Sequence, residues 1–577
     1  MIASALTMAY SSAMAADQPF FTITEISDND NEYGYKLAAK ADVYSNIVQK
    51  YDWWSYFDSL PTEISLGDYH TYLIGCIYDS AVCNSYYDSD IVDDGKTHSF
   101  FKALHENTSY MSSKLSYGEE LDMFQGIRTN LGTDGMTMIT GWVENQDRTF
   151  KDGVRYPVVW SSGSQVYLEG EKKGFGFGTA SSSLQTSDGS FLIGGANSET
   201  NFTDGYFYNC YSRYDKNDFM GAMRNCPGYS NEPVVWAFDP YGNKVLAKQV
   251  FKHYSPADLA SKLNLADIKA VVKYGEKYYA FGHSATSKSG PNTLSIATWW
   301  SFDYSNSNSN SNSNSNSNSN SNSNSNSNSN SNSNSNRTFS NVSDPHKADG
   351  IDRPGEDDKH YLATWFVDAN DNGYAIGNIR FNSLNHLNYP VEMFIFKIAD
   401  QKASIPLENY PFKGATNRAV AINNNNLVVG VADDEDSQYA TVGGTPREQE
   451  AFIYNVESSK FYPLNDLICT SSTCEINGKY YYIYNVGDIN DNNVIIANAY
   501  RYDSNSDWAN YHNAHNVTIM LTSDKFINGK DVDENFRVKY ERKEITYGED
   551  GGSGSTGGLA VLLLGGLCWY RMRKSAR

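Results

Sequence analysis

Short apolar strands, each introduced by a run of Asn, Asp and Gly, recur along the chain. The clearest is Ala421-Ile-Asn-Asn-Asn-Asn-Leu-Val-Val-Gly430, a polar turn followed by a β-branched run and a glycine. Asp368-Ala-Asn-Asp-Asn-Gly-Tyr-Ala-Ile-Gly377 and Asp488-Ile-Asn-Asp-Asn-Asn-Val-Ile-Ile-Ala497 keep the same order, with fainter copies at 132–141, 187–195 and 274–282. Asn, Asp and Gly tolerate positive φ in tight turns, whereas Val, Ile and Tyr suit a pleated, half-buried strand. Each copy therefore predicts one turn and one strand. A second apolar run follows each copy: Val158-Val-Trp160, Val235-Trp-Ala-Phe238, Trp299-Trp300, Met393-Phe-Ile-Phe396, Ala451-Phe-Ile-Tyr454 and Val517-Thr-Ile-Met520. Six paired units without alternating helices predict an all-β protein with a β-propeller-like repeat architecture of six to seven blades.

Residues 20–26, Phe-Phe-Thr-Ile-Thr-Glu-Ile, alternate as a strand and are the candidate for closing the repeat, with 536–545 as the expected partner. Residues 28–118 fit no repeat. Residues 305–336 are sixteen Ser-Asn dipeptides with no apolar residue. Such a tract predicts a flexible coil spanning roughly 30 Å, set between the third and fourth units. Residues 1–16 are small and apolar and end in Ala13-Met-Ala15, the small-residue pattern of a signal peptidase site at Ala15. The expected organisation is a signal peptide at 1–16, repeat domain at 17–304 and 337–550 around the Ser-Asn tract, and a distinct tail at 551–577.

Composition narrows the partners. A net charge of −22 and a pI near 4.9 repel polyphosphate, so nucleic acid is not an expected partner. Hydrophobic residues at 40% and aromatics at 14% supply a large core. Six of the seven cysteines form sequence-local pairs, Cys76 with Cys83, Cys210 with Cys226 and Cys469 with Cys474, leaving Cys568 in the tail. Short-range bridges of this kind suit an oxidising compartment, although six cysteines leave other pairings open.

Catalytic signatures are scarce. The chain contains no Gly-x-Ser-x-Gly elbow, no Walker-type phosphate loop and no His-Glu-x-x-His helix. His512 and His515 are the only close histidine pair and read as solvated loop residues. Asp368, Asn370, Asn372 and Gly373 reproduce the opening of a calcium loop, but its twelfth position is Ile379 where a bidentate Glu is required. Asp488, Asn490 and Asn492 repeat that spacing. No cofactor is expected beyond calcium at those six residues, which a β-turn would select in any case.

The tail reads Gly551-Gly-Ser-Gly-Ser-Thr-Gly-Gly558, then twelve apolar residues at 559–570, then Arg571, Arg573, Lys574 and Arg577. As a helix the apolar part spans about 18 Å against roughly 30 Å of bilayer hydrocarbon. Its basic end would remain cytoplasmic. This layout resembles the GlyGly-CTERM sorting signal of Gram-negative bacteria. The resemblance implies cleavage by a rhombosortase-type protease near Gly551, Gly552 and Ser553, and delivery to the outer surface by type II secretion. The paired units resemble HAF-type extracellular repeats, best in 421–468 through Ala421-Ile-Asn423, Val428-Val-Gly430, Ala451-Phe-Ile-Tyr454 and Leu464-Asn-Asp-Leu467. Together the two features resemble a DUF3466-like family of secreted Gram-negative proteins that carries no established activity. The expectation is an exported protein, at the cell surface, in the outer membrane or extracellular. It would act as a binding or structural module rather than an enzyme, with surface glycans or proteins as candidate partners. The alternative is a secreted polysaccharide-active lyase or glycosidase on the same scaffold.

Overall fold

The computed structural model describes residues 18–28, 32–37, 46–50, 113–115, 120–121, 138–144, 155–161, 164–168, 179–198, 231–241, 244–254, 266–286, 294–307, 336–351, 361–381, 391–408, 410–412, 415–434, 449–471, 474–510 and 513–540. All belong to the first of two compact units, Met1–Tyr540 and Glu541–Arg577.

Among these residues the chain forms 29 strands, nearly all antiparallel, and two short helices, so the fold is all-β. After β1 (Thr22–Ser27), a sheet of β2 (Glu32–Leu37), β3 (Asn46–Lys50), β4 (Ser113–Leu115) and β5 (Glu120–Leu121) occupies the stretch that fits no repeat. Next come β6 (Met138–Glu144), β7 (Arg155–Ser161) and β8 (Ser164–Tyr167), then β9 (Thr179–Gln185), β10 (Phe191–Ser198), β11 (Asn231–Phe238) and β12 (Val245–Val250). The following sheet holds β13 (Ala266–Tyr274), β14 (Lys277–Thr286), β15 (Leu294–Ser307), β16 (Asn336–Ser340) and β17 (His346–Lys347). β18 (Tyr361–Ala369), β19 (Tyr374–Phe381), β20 (Val391–Lys397) and β21 (Lys402–Ser404) form one meander, and β22 (Asn417–Ile422), β23 (Leu427–Asp433), β24 (Gln449–Asn455) and β25 (Lys460–Pro463) another. A single parallel pairing, Glu392 with Asn417, joins these two into one larger sheet. After α1 (Asn465–Ile468), the last sheet contains β26 (Glu475–Ile476), β27 (Lys479–Ile489), β28 (Ile495–Tyr502) and β29 (His515–Thr522), with α2 (Asn505–Asn510) between the last two.

Each sequence copy forms the strand β6, β10, β14, β19, β23 or β28. Its second apolar run forms the antiparallel neighbour β7, β11, β15, β20, β24 or β29. Opposite the small residue of five copies, Gly194, Gly282, Gly377, Gly430 and Ala497, the preceding strand carries one extra residue. The pairing skips Ser181, Lys269, Val367, Val420 and Gly487. A bulge bends its strand. At Gly282, Gly377 and Gly430 it presses a carbonyl oxygen, of Asp267, Trp365 or Arg418, into the space a Cβ would need. The central glycine is thus a requirement of the bulge, not of the turn.

One long strand at or near the start of each sheet or meander lies against the one before it. β9 meets β6 and β7; β13 meets β9, β10 and β11; β18 meets β13, β14 and β15; β22 meets β18, β19 and β20; β27 meets β22, β23 and β24; and β2 meets β27, β28 and β29. Separate apolar layers fill these junctions, with Val235, Trp300 and Phe302 in one, Phe281, Phe366 and Phe396 in the next, and Met393, Val428 and Phe452 in a third. Each fully buried side chain of this size contributes about 1.5–3 kcal/mol.

Two expectations about the connections are corrected. The Ser-Asn tract is not set between units: Ser305, Asn306 and Ser307 pair with Thr338, Arg337 and Asn336, so a hairpin within one sheet carries it. The N-terminal strand does complete the C-terminal sheet, but β1 pairs with β29, Thr22 opposite Thr522 and Ile23 opposite Leu521. The anticipated partner begins with a turn, because the Asp533 side chain accepts the N–H of Asn535 and starts a 3-10 turn at Glu534–Phe536. Phe536 instead packs on Phe20, with ring centroids 6.5 Å apart.

Candidate functional site

Three of the Asn-rich turns stand side by side and are joined by their own amides. The N–H groups of Asn370, Asn423 and Asn490 donate to the carbonyls of Tyr374, Leu427 and Val494. In return each Asn Oδ1 accepts the N–H of that same residue, at 3.0 Å in all three turns. With Oδ1 so engaged, two of the Nδ2 groups reach the next turn. Asn370 donates to the carbonyl of Asn423 and to Asn426 Oδ1, both at 2.8 Å. Asn423 repeats this with the carbonyl of Asn490 at 2.9 Å and Asn493 Oδ1 at 2.8 Å. Asn493 Nδ2 then donates to the carbonyl of Gly529 at 2.8 Å.

A second rail runs alongside. Asn372 donates to the carbonyl of Asn424, and Asn425 to the carbonyl of Asp491 and to Asn493 Oδ1. The backbone N–H groups of Asp371 and Asn424 donate to Asn424 Oδ1 and Asp491 Oδ1, both at 2.9 Å. Gly373, Asn426 and Asn493 hold the corresponding left-handed corner, with φ of 89°, 61° and 59°. Because Asn370, Asn423 and Asn490 are buried, each amide left without its partners would cost about 1–3 kcal/mol.

The six residues with calcium-loop spacing all lie in or beside this ladder. Asp368 Oδ2 accepts the N–H of Ile422 at 3.0 Å and its Oδ1 that of Ala369 at 2.9 Å. Asp488 Oδ1 accepts the N–H of Ile489, and Asn490 Oδ1 that of Asn492, each at 3.0 Å. Between the two loops stands the turn of Asn423 to Asn426, which the calcium spacing left out. Among the described residues no group of three or more His, Cys, Asp and Glu could hold a metal ion. His515 lies in β29, not in a loop, with Nε2 3.8 Å from Asp503 Oδ2. Cys469 and Cys474 are bonded, with Cα atoms 4.4 Å apart. Cys76, Cys83, Cys210 and Cys226, the processing residues Ala15, Gly551, Gly552 and Ser553, and the apolar run 559–570 lie outside the described residues. No helix among those described is long and apolar enough to cross a membrane.

Upstream of β18 the turns meet differently. The ring of Tyr274 covers Gly373 where a Cβ would stand. Asp188, in the turn before β10, pairs with Arg337 of β16. Between β9 and β13, Ser181 Oγ lies 3.5 Å from Asp267 Oδ1. Asp267 Oδ2 in turn holds the bulge residue Lys269 at 2.7 Å, with side-chain exposures of 1% and 2%. Sequence reasoning missed this pair; its only mark is a charged Asp-x-Lys inside an apolar strand.

At the seam between chain ends, Glu25 of β1 receives the Tyr481 hydroxyl, Lys479 Nζ at 3.3 Å and Arg501 Nη1 at 3.0 Å. Arg501 is also held by Asp28 at 3.0 Å and Asp503 at 3.3 Å. Burial alone would raise the Glu25 carboxyl, but the Tyr481 hydrogen bond and the Arg501 and Lys479 charges outweigh it and hold the group below its ordinary value. Burial and the bond to Glu25 push the Tyr481 hydroxyl upward.

Residues 308–571 match the family described as "Protein of unknown function (DUF3466)". Over that span, a little under half of the chain, the sequence is similar to this family. The DUF3466 region contains the whole ladder and every strand from β16 to β29, whereas β1 lies outside it. No curated protein matches the sequence. Among solved structures, a Trypanosoma rangeli sialidase in complex with the inhibitor DANA is similar at 10% identity over 66% of this chain and 51% of that one, with a TM-score of 0.31. A Pyrococcus horikoshii acylaminoacyl peptidase is similar at 10% identity over 68% of this chain and 46% of that one, with a TM-score of 0.32. The chain spans about half the length of each.

Proposed function

We propose that this chain is an exported, propeller-like ring of sheets that serves as a rigid binding or structural module at the outer surface of a Gram-negative cell. One observation carries the ring: a strand at or near the start of each sheet or meander packs on the preceding one, and β2 packs on the last sheet, which β1 itself completes. A ring requires in addition only that β2–β5 adjoin β6–β8. Pairing with β1 covers the edge that β29 would otherwise leave open. Export is supported by the Cys469–Cys474 bond, a feature of oxidising compartments, together with the signal-like start and the sorting-like tail in the sequence. In this reading signal peptidase, a rhombosortase-type protease and type II secretion act on the chain during delivery. The ladder's outer edge, with Asp371, Asn372 and Asn492 exposed, offers amide and carboxylate groups of the kind that hydrogen-bond sugar hydroxyls.

The test is a glycan-array screen of the exported protein run beside an assay for newly released reducing ends. Binding without release is the expected result. Release of reducing ends would replace this reading with that of a polysaccharide-active enzyme.

A further inference from the structure

A four-residue helix gathers both ends of the folded chain. α1 is buried along its whole length. Asn465 fixes it to β27, its Oδ1 accepting the N–H of Ile483 at 2.7 Å and its Nδ2 donating to the same residue's carbonyl at 3.2 Å. The side chain of Asp466 accepts Arg537 Nε and the N–H of Tyr540, each at 2.8 Å. Its carbonyl accepts the N–H of Val538 at 2.9 Å. From the opposite end of the chain, the N–H of Phe21 donates to the carbonyl of Leu467, also at 2.9 Å. Phe20 packs beside it on Phe526, with centroids 4.9 Å apart. One turn of helix does not hold itself together in water. The Cys469–Cys474 bond lies immediately after α1, with both cysteines fully buried.

We propose that this bond is a redox latch for the chain ends. While Cys469 and Cys474 are thiols, α1 is fixed only at its Asn465 end, and neither the segment at Phe21 nor the strap 537–540 is locked to the body. Latching joins the two sulfurs with loss of two protons and two electrons. An oxidised protein dithiol of the exporting compartment takes up the electrons and protons and becomes the reduced dithiol. Because the locked sulfurs are shielded from any such oxidant, the bond forms before the ends close. Locking therefore belongs after export; this timing rests on the export reading, whereas the latch rests on the geometry alone.

The test compares amide hydrogen exchange in the oxidised full chain and in a Cys469→Ser/Cys474→Ser variant. Exchange at Phe21, Val538 and Tyr540 should accelerate together by roughly tenfold or more, while Gly373 and Asn426, in the ladder, stay unchanged. Asp466→Ala keeps the disulfide and removes the acceptor of the Tyr540 N–H, so it should release Tyr540 but not Phe21. Unchanged protection at Phe21 and Tyr540 in the double variant overturns the latch. So does uniform acceleration across all amides, because the bond would then support the whole fold. The timing is read separately, by thiol labelling of cytosolic and exported material. Free Cys469 and Cys474 in the exported form would reject the timing and leave the exchange result to decide the latch.

Discussion

The junctions on the two sides of β18 join similar sheets by different chemistry. Downstream, consecutive turns are stitched by buried amides, Asn370 to Asn423 to Asn490 to Gly529. Upstream, the same bulge and central glycine recur, yet the contacts are an aromatic ring on Gly373, the Asp188–Arg337 pair and the contact of Ser181 with Asp267. Strand geometry is therefore the shared requirement, and the turn-to-turn contact is free to vary. This is why the sequence copies keep their glycine upstream while losing their asparagines.

Upstream, the largest loss should come from the buried ion pair within β13. Asp267→Ala takes the carboxylate away from a buried ammonium and should cost about 3–5 kcal/mol, whereas Asp267→Leu combined with Lys269→Met should recover most of it. Denaturant melts of both variants check this. A mild single variant would mean that the pair is not what fixes the bulge within β13. The glycines should be equally intolerant on both sides, since Gly282→Ala and Gly430→Ala each drive a methyl into a bulge carbonyl. Each should lose about 3 kcal/mol. If only the downstream variant suffers, the bulge is not the common element.

Asn423→Ala removes an amide that receives two N–H groups and donates to the next turn. A loss of about 2–3 kcal/mol is expected. Coupling to Asn370→Ala in a double-mutant cycle would sharpen the ladder, and strict additivity would remove it.

Much of this was legible in the sequence. The Asn-run grammar located β19, β23 and β28 and their partners β20, β24 and β29, because turn chemistry and β-branched alternation are local signals. The ladder was not legible as such. Its rungs join residues 36 to 70 positions apart, and a local pattern cannot say whether an Asn amide faces its own turn, the next turn or an ion. The matching place of Asn370, Asn423 and Asn490 before each strand was the available clue. The closing partner was misjudged because alternation alone does not reveal that Asp533 starts a turn, and α1 appeared only as the end of a repeat motif.

The seam should respond to pH more gently. Glu25 is depressed below its ordinary 4.5, so its contribution is fully present above that value and is lost as pH falls through the lower folded value. Glu25→Gln should flatten the dependence of melting temperature on pH in that acid range and leave it unchanged at pH 7 to 8. Tyr462 shows the opposite sense: burial and its bond to Glu534 push its hydroxyl from 10.0 up to about 12. Its contribution is present below the lower value and lost as pH rises toward the higher. The smallest effect should be that of calcium. With Asn370 and Asn490 Oδ1 occupied by backbone N–H groups, adding calcium or a chelator should leave the melting temperature unchanged. A clear rise with calcium would assign these turns to an ion after all.

The central claim is that the chain closes on itself through β1 and β29. Thr24 stands opposite Met520 across that pairing. A Thr24→Cys/Met520→Cys variant, oxidised and mapped by peptide mass without reduction, should yield the cross-linked pair as the dominant species. Thr24→Cys with Val517→Cys, a mismatched register, should not. Free thiols at both positions in folded protein, or equal cross-linking in the mismatched pair, would contradict the closure and the ring that depends on it.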